Sequence, residues 1–222
     1  MIAGSFSLTH FEFLLFGAGW TLALTLIAFV GGGLVGFGVA LGRISSFAPL
    51  RWLIAGYVLL IQGTPLLVLI FLMYFGVAMA GFEFSPLAAA GLALTIYVSA
   101  YIGEIWRGCI ESVPRTQWEA AECIPLTRYQ RMKLVILPQA VKIATPPTVG
   151  FMVQIVKNSS LASVVGFVEL TRAGQLVNNS IFDPLPVFLS VAAIYFVLCY
   201  PLSWWSRKFE AKLGVHVRVQ TE

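Results

Sequence analysis

The sequence predicts an all-α, polytopic membrane protein with about five transmembrane helices, its N-terminus outside and its C-terminus inside. Three observations carry this. First, 59% of the 222 residues are hydrophobic and 11% are charged, with a mean hydropathy of +0.87. A soluble domain carries about 25% charged residues, so this chain cannot cover itself with polar surface. Second, the uncharged runs are long. Phe13 to Gly42 covers 30 residues, Trp52 to Phe82 covers 31, Phe84 to Gly103 covers 20 and Pro184 to Ser206 covers 23. About 20 apolar residues cross a bilayer core, so these four suffice, whereas Ile143 to Val156, with 14, needs its flanks. Third, the basic residues are asymmetric. Arg43 and Arg51 follow the first span. Arg107, Arg115, Arg128, Arg131, Lys133 and Lys142 lie between the third and fourth. Arg207, Lys208, Lys212 and Arg218 follow the last, which leaves only Lys157 and Arg172 for the other side. Basic loops stay inside; this orients the chain and requires an odd number of spans.

The net charge of +4 is therefore a topology signal. Its residues flank spans and are not gathered on a soluble module, which argues against nucleic-acid binding. The N-terminus has no basic leader region, and the first apolar run is too long for a cleaved signal peptide; it reads as a retained first span. Cys109, Cys123 and Cys199 are isolated and fit neither a disulfide framework nor a metal site. They read as small packing residues. Residues 1–222 read as one transmembrane domain.

Taken in order, residues 1–12 are short and external. The first span, near Phe13 to Leu41, carries Gly31, Gly32, Gly33, Gly36, Gly38 and Gly42. Small residues let helices approach closely where lipid offers no hydrophobic drive, either within the chain or at a dimer face. The second span begins near Trp52 and is interrupted by Gln62-Gly63-Thr64-Pro65. Such a break is tolerated where neighbours satisfy the freed backbone; it is a packing kink or a cavity wall with the Gln62 amide aimed inward. The third span ends with Tyr101, Glu104 and Arg107. Glu104 and Arg107 share a helix face and can pair, which suits an acid just inside a span.

The longest polar passage follows, Gln117 to Ala140, overlapping a cytoplasmic loop of about 111 to 137. Pro114 breaks the preceding helix, and Gln117 to Cys123 reads as a short helix. Glu119 and Glu122 sit on a side open to water or a basic partner, with Ala120 and Ala121 as a smooth surface. Pro125 ends it, and Thr127 is a suitable N-cap for the next helix, which starts basic at Arg128 and turns apolar by Leu134. The segment reads as a partner-docking element or as an interfacial amphipathic helix; it lacks the broad apolar face with aromatic anchors that the second requires. The fourth span is expected to be interrupted by Pro146-Pro147 and Gly150, and Gln154, Lys157, Asn158, Ser159 and Ser160 follow. A broken membrane helix with polar side chains beyond the break points to a binding site; the plainer reading is the solvated outer end of the helix. Leu161 to Leu176 reads as a shorter outer helix and Asn178 to Pro186 as a loop. Val187 to Trp205 is the last span, anchored by Trp204 and Trp205, with a basic tail.

Catalytic patterns are missing. There is no phosphate-binding Gly-x-x-x-x-Gly-Lys-Ser/Thr loop, no HExxH and no GxSxG. His10 and His216 lie on opposite sides and cannot share a metal. The chain reads as a non-enzyme without a cofactor of its own.

The central segment resembles the signature loop of ABC importer permeases, on Glu119-Ala120-Ala121 and on Ile136-Leu137-Pro138 downstream. Pro125 stands where that family usually has glycine. Further segments resemble the subfamily that imports polar amino acids of the histidine, glutamine and arginine type. They are Gln62-Gly63-Thr64-Pro65-Leu66-Leu67, with Gln62 in place of an arginine; Ala100-Tyr101 with Glu104, Ile105 and Arg107; Ser112-Val113-Pro114; Gln117-Trp118-Glu119-Ala120-Ala121; Leu137-Pro138-Gln139-Ala140; and Lys157-Asn158-Ser159-Ser160-Leu161-Ala162-Ser163. The resemblance implies a type I ABC importer permease in the bacterial inner membrane. Its partners would be a second permease subunit, identical or paralogous, two ATPase subunits that hold ATP and Mg, an external substrate-binding protein and membrane lipid. Trp118, Glu119, Ala120, Ala121, Pro125, Leu126 and Arg128 would couple to the ATPase. Gln62, Thr64, Tyr101, Glu104, Gln154, Lys157, Asn158, Ser159 and Ser160 are the pocket candidates for a polar amino acid. An ATPase-independent channel or exporter for amino acids is the alternative.

Overall fold

The computed structural model describes residues 6–213. The expected external residues 1–5 and the end of the basic tail, with His216 and Arg218, lie outside the described residues. Among the described residues the chain is helical with no strand. Its elements are α1 (Leu8–Arg43), α2 (Ala48–Gln62), α3 (Leu66–Met79), α4 (Pro86–Glu111), α5 (Arg115–Glu122), α6 (Arg128–Val165), α7 (Leu170–Ile181) and α8 (Pro184–Leu213).

Four of these, α1, α4, α6 and α8, are long and apolar enough to cross a membrane, and α2 with α3 makes a fifth when the bent pair is counted as one span. The interruption expected at Gln62–Pro65 is therefore present, but it is more than a kink: the two halves meet at 99°. Pro65 supplies no N–H, and its extended backbone (φ −58°, ψ 136°) begins α3 as an N-cap. The Thr64 hydroxyl donates to Leu60 O at 2.7 Å, which closes the end of α2.

The glycines of α1 divide by face. A Cβ on Gly36 would stand 2.9 Å from Ser99 O, and one on Gly103 of α4 would stand 2.5 Å from Val39 Cγ1. With Gly32, whose Cβ would stand 2.5 Å from Val98 Cβ, these glycines let α1 and α4 approach closely at the most extensive helix interface among the described residues. Gly33 and Gly38 face open space. A central apolar cluster joins Leu24 and Ala28 of α1, Leu69 and Ile70 of α3, Leu94 and Val98 of α4, and Ile155 of α6. A second cluster joins α1, α7 and α8 through Leu14, Leu170, Ala173 and Val187. Large apolar side chains such as Leu34, Leu59, Leu60, Phe196 and Val197 remain exposed. That is expected of a chain whose outer solvent is lipid.

The second half of the chain corrects three expectations. The helix is not interrupted at Pro146-Pro147 but runs unbroken from Leu137 to Asn158. Pro146 is buried, and its carbonyl accepts from the Ser206 hydroxyl of α8 at 2.9 Å, so a neighbouring helix supports the backbone there. The change comes later, where Ser159–Val165 tightens to a 3-10 turn. Leu161 to Leu176 is not one helix: Gly166 adopts φ +85°, a left-handed geometry that glycine accepts without strain, and Glu169 caps a new helix, α7. Asn178 to Pro186 is mostly helix, since α7 continues to Ile181 and α8 starts at Pro184. Two π-helical turns, Leu72–Gly76 and Met132–Ile136, have no counterpart in the sequence reading.

Candidate functional site

The polar segment folds as two short pieces clamped to the bundle. Helix α5 occupies Arg115–Glu122, two residues earlier at its start than expected and one earlier at its end. Thr127 caps α6 as expected: its hydroxyl accepts from Gln130 N at 3.3 Å, and Gln130 Oε1 accepts from Thr127 N at 2.9 Å, a reciprocal capping box. Arg131 closes the turn between the two pieces, donating Nε to Leu126 O at 3.0 Å and pairing with Glu122 at 3.2 Å. Gln139 Nε2 donates to Gln117 Oε1 at 3.3 Å and ties α5 to the start of the fourth span.

The coupling candidates therefore separate. Glu119, Ala120, Pro125 and Arg128 are exposed, and Leu126 is half-buried. Ala121, 2% exposed, turns inward, so it is not part of the smooth outer surface expected of it. Trp118 packs on the cluster of Ile110, Val113, Ile136 and Ala140, where it supports the segment from below.

Glu104 pairs with Arg107 as its spacing predicts, at 2.8 Å. Its other oxygen accepts from Arg43 Nε at 2.8 Å, a partner 61 positions away that sequence spacing does not show. Arg107 also pairs with Glu111. Both Glu104 oxygens are thus engaged by cations of this chain.

Among the pocket candidates, the structure gathers a set around α6. Phe151, Gln154 and Asn158 follow one another at i, i+3 and i+7, one helix face. Gln154 Nε2 donates to Asn158 Oδ1 at 3.1 Å. The Tyr101 ring of α4 stacks on Phe151, with centroids 5.5 Å apart, and lies 4.4 Å from Tyr97. The residues after the elbow, Leu66, Leu69 and Ile70, belong to the same apolar cluster as Ala162 and Val165, with Tyr97 and Phe151 packed against it. Gln62 itself is exposed. The serines point elsewhere: Ser159 is fully buried and donates to Val156 O at 2.8 Å, and Ser160 donates to Lys157 O at 2.7 Å.

Lys157 lines a different opening, a groove of about 570 Å³ between α6 and α8 that also holds Tyr195, Cys199 and Arg207. Among the described residues Lys157 makes no ion pair. Its neighbours Tyr195 and Cys199 sit roughly 17 and 23 Å along α8, at 1.5 Å per residue from Pro184, which is deep within a bilayer-crossing helix.

Sequence reasoning missed Glu169. It is fully buried and accepts four hydrogen bonds: from Arg172 N at 2.8 Å, Thr171 N at 2.9 Å, the Tyr195 hydroxyl at 2.9 Å and the Thr21 hydroxyl at 3.4 Å. The available signal was an acid two residues before Thr171 at a possible helix start; the expectation of one helix over Leu161 to Leu176 hid it.

Comparison with known proteins fits this arrangement. Residues 32–215 match the family described as the binding-protein-dependent transport system inner membrane component. A probable amino-acid ABC transporter permease of Bacillus subtilis (strain 168) is 33% identical, over 95% of this chain and 93% of its own length. A probable glutamine ABC transporter permease of the same organism is 41% identical, over 87% of this chain and 89% of its own. A solved amino acid ABC transporter superposes with a TM-score of 0.86 at 34% identity, covering 90% of this chain and 94% of that one; the fold is that of a type I ABC importer permease. The chain belongs to the family of binding-protein-dependent transport system inner membrane components.

Proposed function

We propose that the chain is the permease subunit of an ATP-driven, binding-protein-dependent importer of polar amino acids, working by alternating access. The observation that carries this is the pairing of two features in one family member. An exposed, well-braced α5 presents Glu119 and Ala120 to water, and polar side chains collect on α6 at membrane depth. The first is a docking surface for an ATPase, which holds the ATP and Mg; the second borders the path of the substrate. No cofactor is assigned to this chain. The asymmetry of the basic residues supports α5 and the C-terminus inside and the N-terminus outside, where a binding protein would deliver substrate.

Lys157 supports a second permease subunit, identical or paralogous. A lysine exposed at bilayer depth is costly unless it faces protein or water. The face of α6 and α8 that carries it therefore belongs against another subunit or a hydrated pathway. Gln154, Asn158 and Tyr101 form the substrate-facing set, with Gln62 and Thr64 at the bend between α2 and α3 as further candidates; Ser160 and Lys157 stand apart from it. Asn158 is neutral, which favours a substrate without a strongly cationic side chain; the likeness to a glutamine permease agrees. Glu104 and Ser159 hold the structure around this set.

The test is co-purification. The chain, co-expressed with its candidate ATPase, should bring that ATPase through membrane extraction, and Glu119→Lys should release it with the permease still inserted. Retention of the ATPase by Glu119→Lys at wild-type stoichiometry would contradict the docking role.

A further inference from the structure

Where α1 turns into α2, a cavity of about 290 Å³ opens at the end of the bundle that carries the polar segment. Its wall takes Arg43 from the end of α1, Arg51 from α2, Glu111 from α4, Trp118 from α5, and Arg128 and Met132 from α6. The volume lies near the lower end of the roughly 300–1,000 Å³ of small-ligand sites. Five helices converge here, and the ATPase-facing side of α5 lies on an adjoining depression that Glu119 and Glu122 line and that shares Glu111 and Trp118 with this cavity.

The charges around the cavity do not cancel. Arg43 and Arg107 are matched by Glu104 and Glu111 through three ion pairs. Arg51 is half-buried and donates to Ser45 O at 3.2 Å, and among the described residues neither Arg51 nor Arg128 has an ion-pair partner. Two guanidinium groups therefore share one cavity with positive charge to spare. Planar guanidinium forks recognise phosphate oxygens in pairs.

We propose that this cavity binds the phosphate of an anionic phospholipid. The depth favours a lipid over a free anion. Arg43 closes the 30-residue uncharged run from Phe13 to Gly42, so the cavity stands at the level of the headgroups. Beside Arg51, Trp52 and Leu53 are each 73% exposed and offer the acyl chains an apolar surface. Trp118 and Met132 give the wall an apolar part that suits a glycerol backbone and offers a free phosphate nothing. Basic pockets between membrane helices on the inner side take anionic headgroups in this way. The choice of leaflet rests on the orientation proposed above; the phosphate chemistry does not.

The full-length chain would be reconstituted in nanodiscs of phosphatidylcholine alone or mixed with phosphatidylglycerol, then released and its retained lipids counted by native mass spectrometry. The wild type should retain phosphatidylglycerol in preference to phosphatidylcholine. Arg51→Gln and Arg128→Gln should each lower that retention about fivefold, with Arg51→Lys between them and the wild type, and melting temperatures unchanged. Equal retention by the wild type and Arg51→Gln would overturn the proposal, and that is the result expected if an acidic segment of a partner fills the cavity instead. Binding of inorganic phosphate in detergent that Arg51→Gln abolishes, without any preference for phosphatidylglycerol, would assign a free anion and also overturn it. The count is made without the ATPase, so a failed docking role for Glu119 leaves it unaffected.

Discussion

Arg43 Nε lies 2.8 Å from Glu104 Oε1, so the C-terminal end of α1 is tied to α4 by an ion pair between residues 61 positions apart. Arg107 holds the second oxygen of the same carboxylate at 2.8 Å. The three side chains are between 21% and 26% exposed, screened enough for the pairing to count. Glu104→Gln keeps the shape but leaves two cations facing a neutral amide. Hydrogen bonds to charged groups contribute about 1.5–3 kcal/mol, so thermal unfolding in detergent should show a loss of that order. An unchanged melting temperature would mean that the network is ornamental to stability.

Gly36 offers a second test of the same interface. A Cβ there would stand 2.9 Å from Ser99 O and 3.2 Å from Gly103 N, both backbone atoms that cannot step aside. Gly36→Val should cost about 1–3 kcal/mol by overpacking and lower the yield of folded protein. Gly38→Val, with open space around the glycine, should be tolerated in the isolated chain. Equal effects of the two would refute the assignment of faces.

In α5, Glu119 and Ala121 are two residues apart and predict different failures. Glu119→Lys should abolish ATPase association and uptake while the melting temperature holds. Ala121→Leu places bulk in a buried position and should first lower the melting temperature. Finding the Ala121 variant as stable as the wild type but uncoupled would restore that residue to the docking surface.

Glu169 joins α1, α7 and α8 through four hydrogen bonds. Glu169→Ala removes a helix cap and takes one partner each from the Tyr195 and Thr21 hydroxyls, which keep Thr171 Oγ1 and Leu170 N, so a loss of about 2–4 kcal/mol is expected. Tyr195→Phe removes one of these bonds and should cost about 1 kcal/mol. The comparison is read from melting curves of the two variants.

Asn158 sets the charge of the proposed pocket. Asn158→Asp should shift the preference of uptake toward cationic amino acids, and Asn158→Leu should lower uptake at least about tenfold through loss of polar contacts. Competition between labelled glutamine and arginine would report the shift. Identical competition profiles for the wild type and Asn158→Asp would move the pocket elsewhere.

Much of this fold is legible in the sequence because the bilayer imposes a simple rule: about 20 uncharged residues make a span. The break at Gln62–Pro65, the cap at Thr127 and the pair of Glu104 with Arg107 are also local signals, set by residues within a few positions of each other. What the sequence hid was non-local or depended on neighbours. Pro146-Pro147 reads as a break, yet the helix continues because α8 packs against it. Arg43 meets Glu104, and Glu169 meets Thr21 and Tyr195, only through the fold. Ala121 and Ala120 look alike in sequence, and the packing of α5 on α6 alone distinguishes the buried one from the exposed one. The candidate site was legible as a set of polar residues near Asn158, but which of them spend their hydrogen bonds on the backbone, as Ser159 does, was not.

The most direct test of the central claim is uptake into liposomes that contain this chain, its candidate ATPase and any paralogous permease, with ATP inside, binding protein outside and a panel of labelled amino acids. The account predicts accumulation against a gradient of a polar amino acid, dependent on both ATP and the binding protein. Equilibration that proceeds without ATP would contradict it, and would make the chain a channel or facilitator whose α5 serves another purpose.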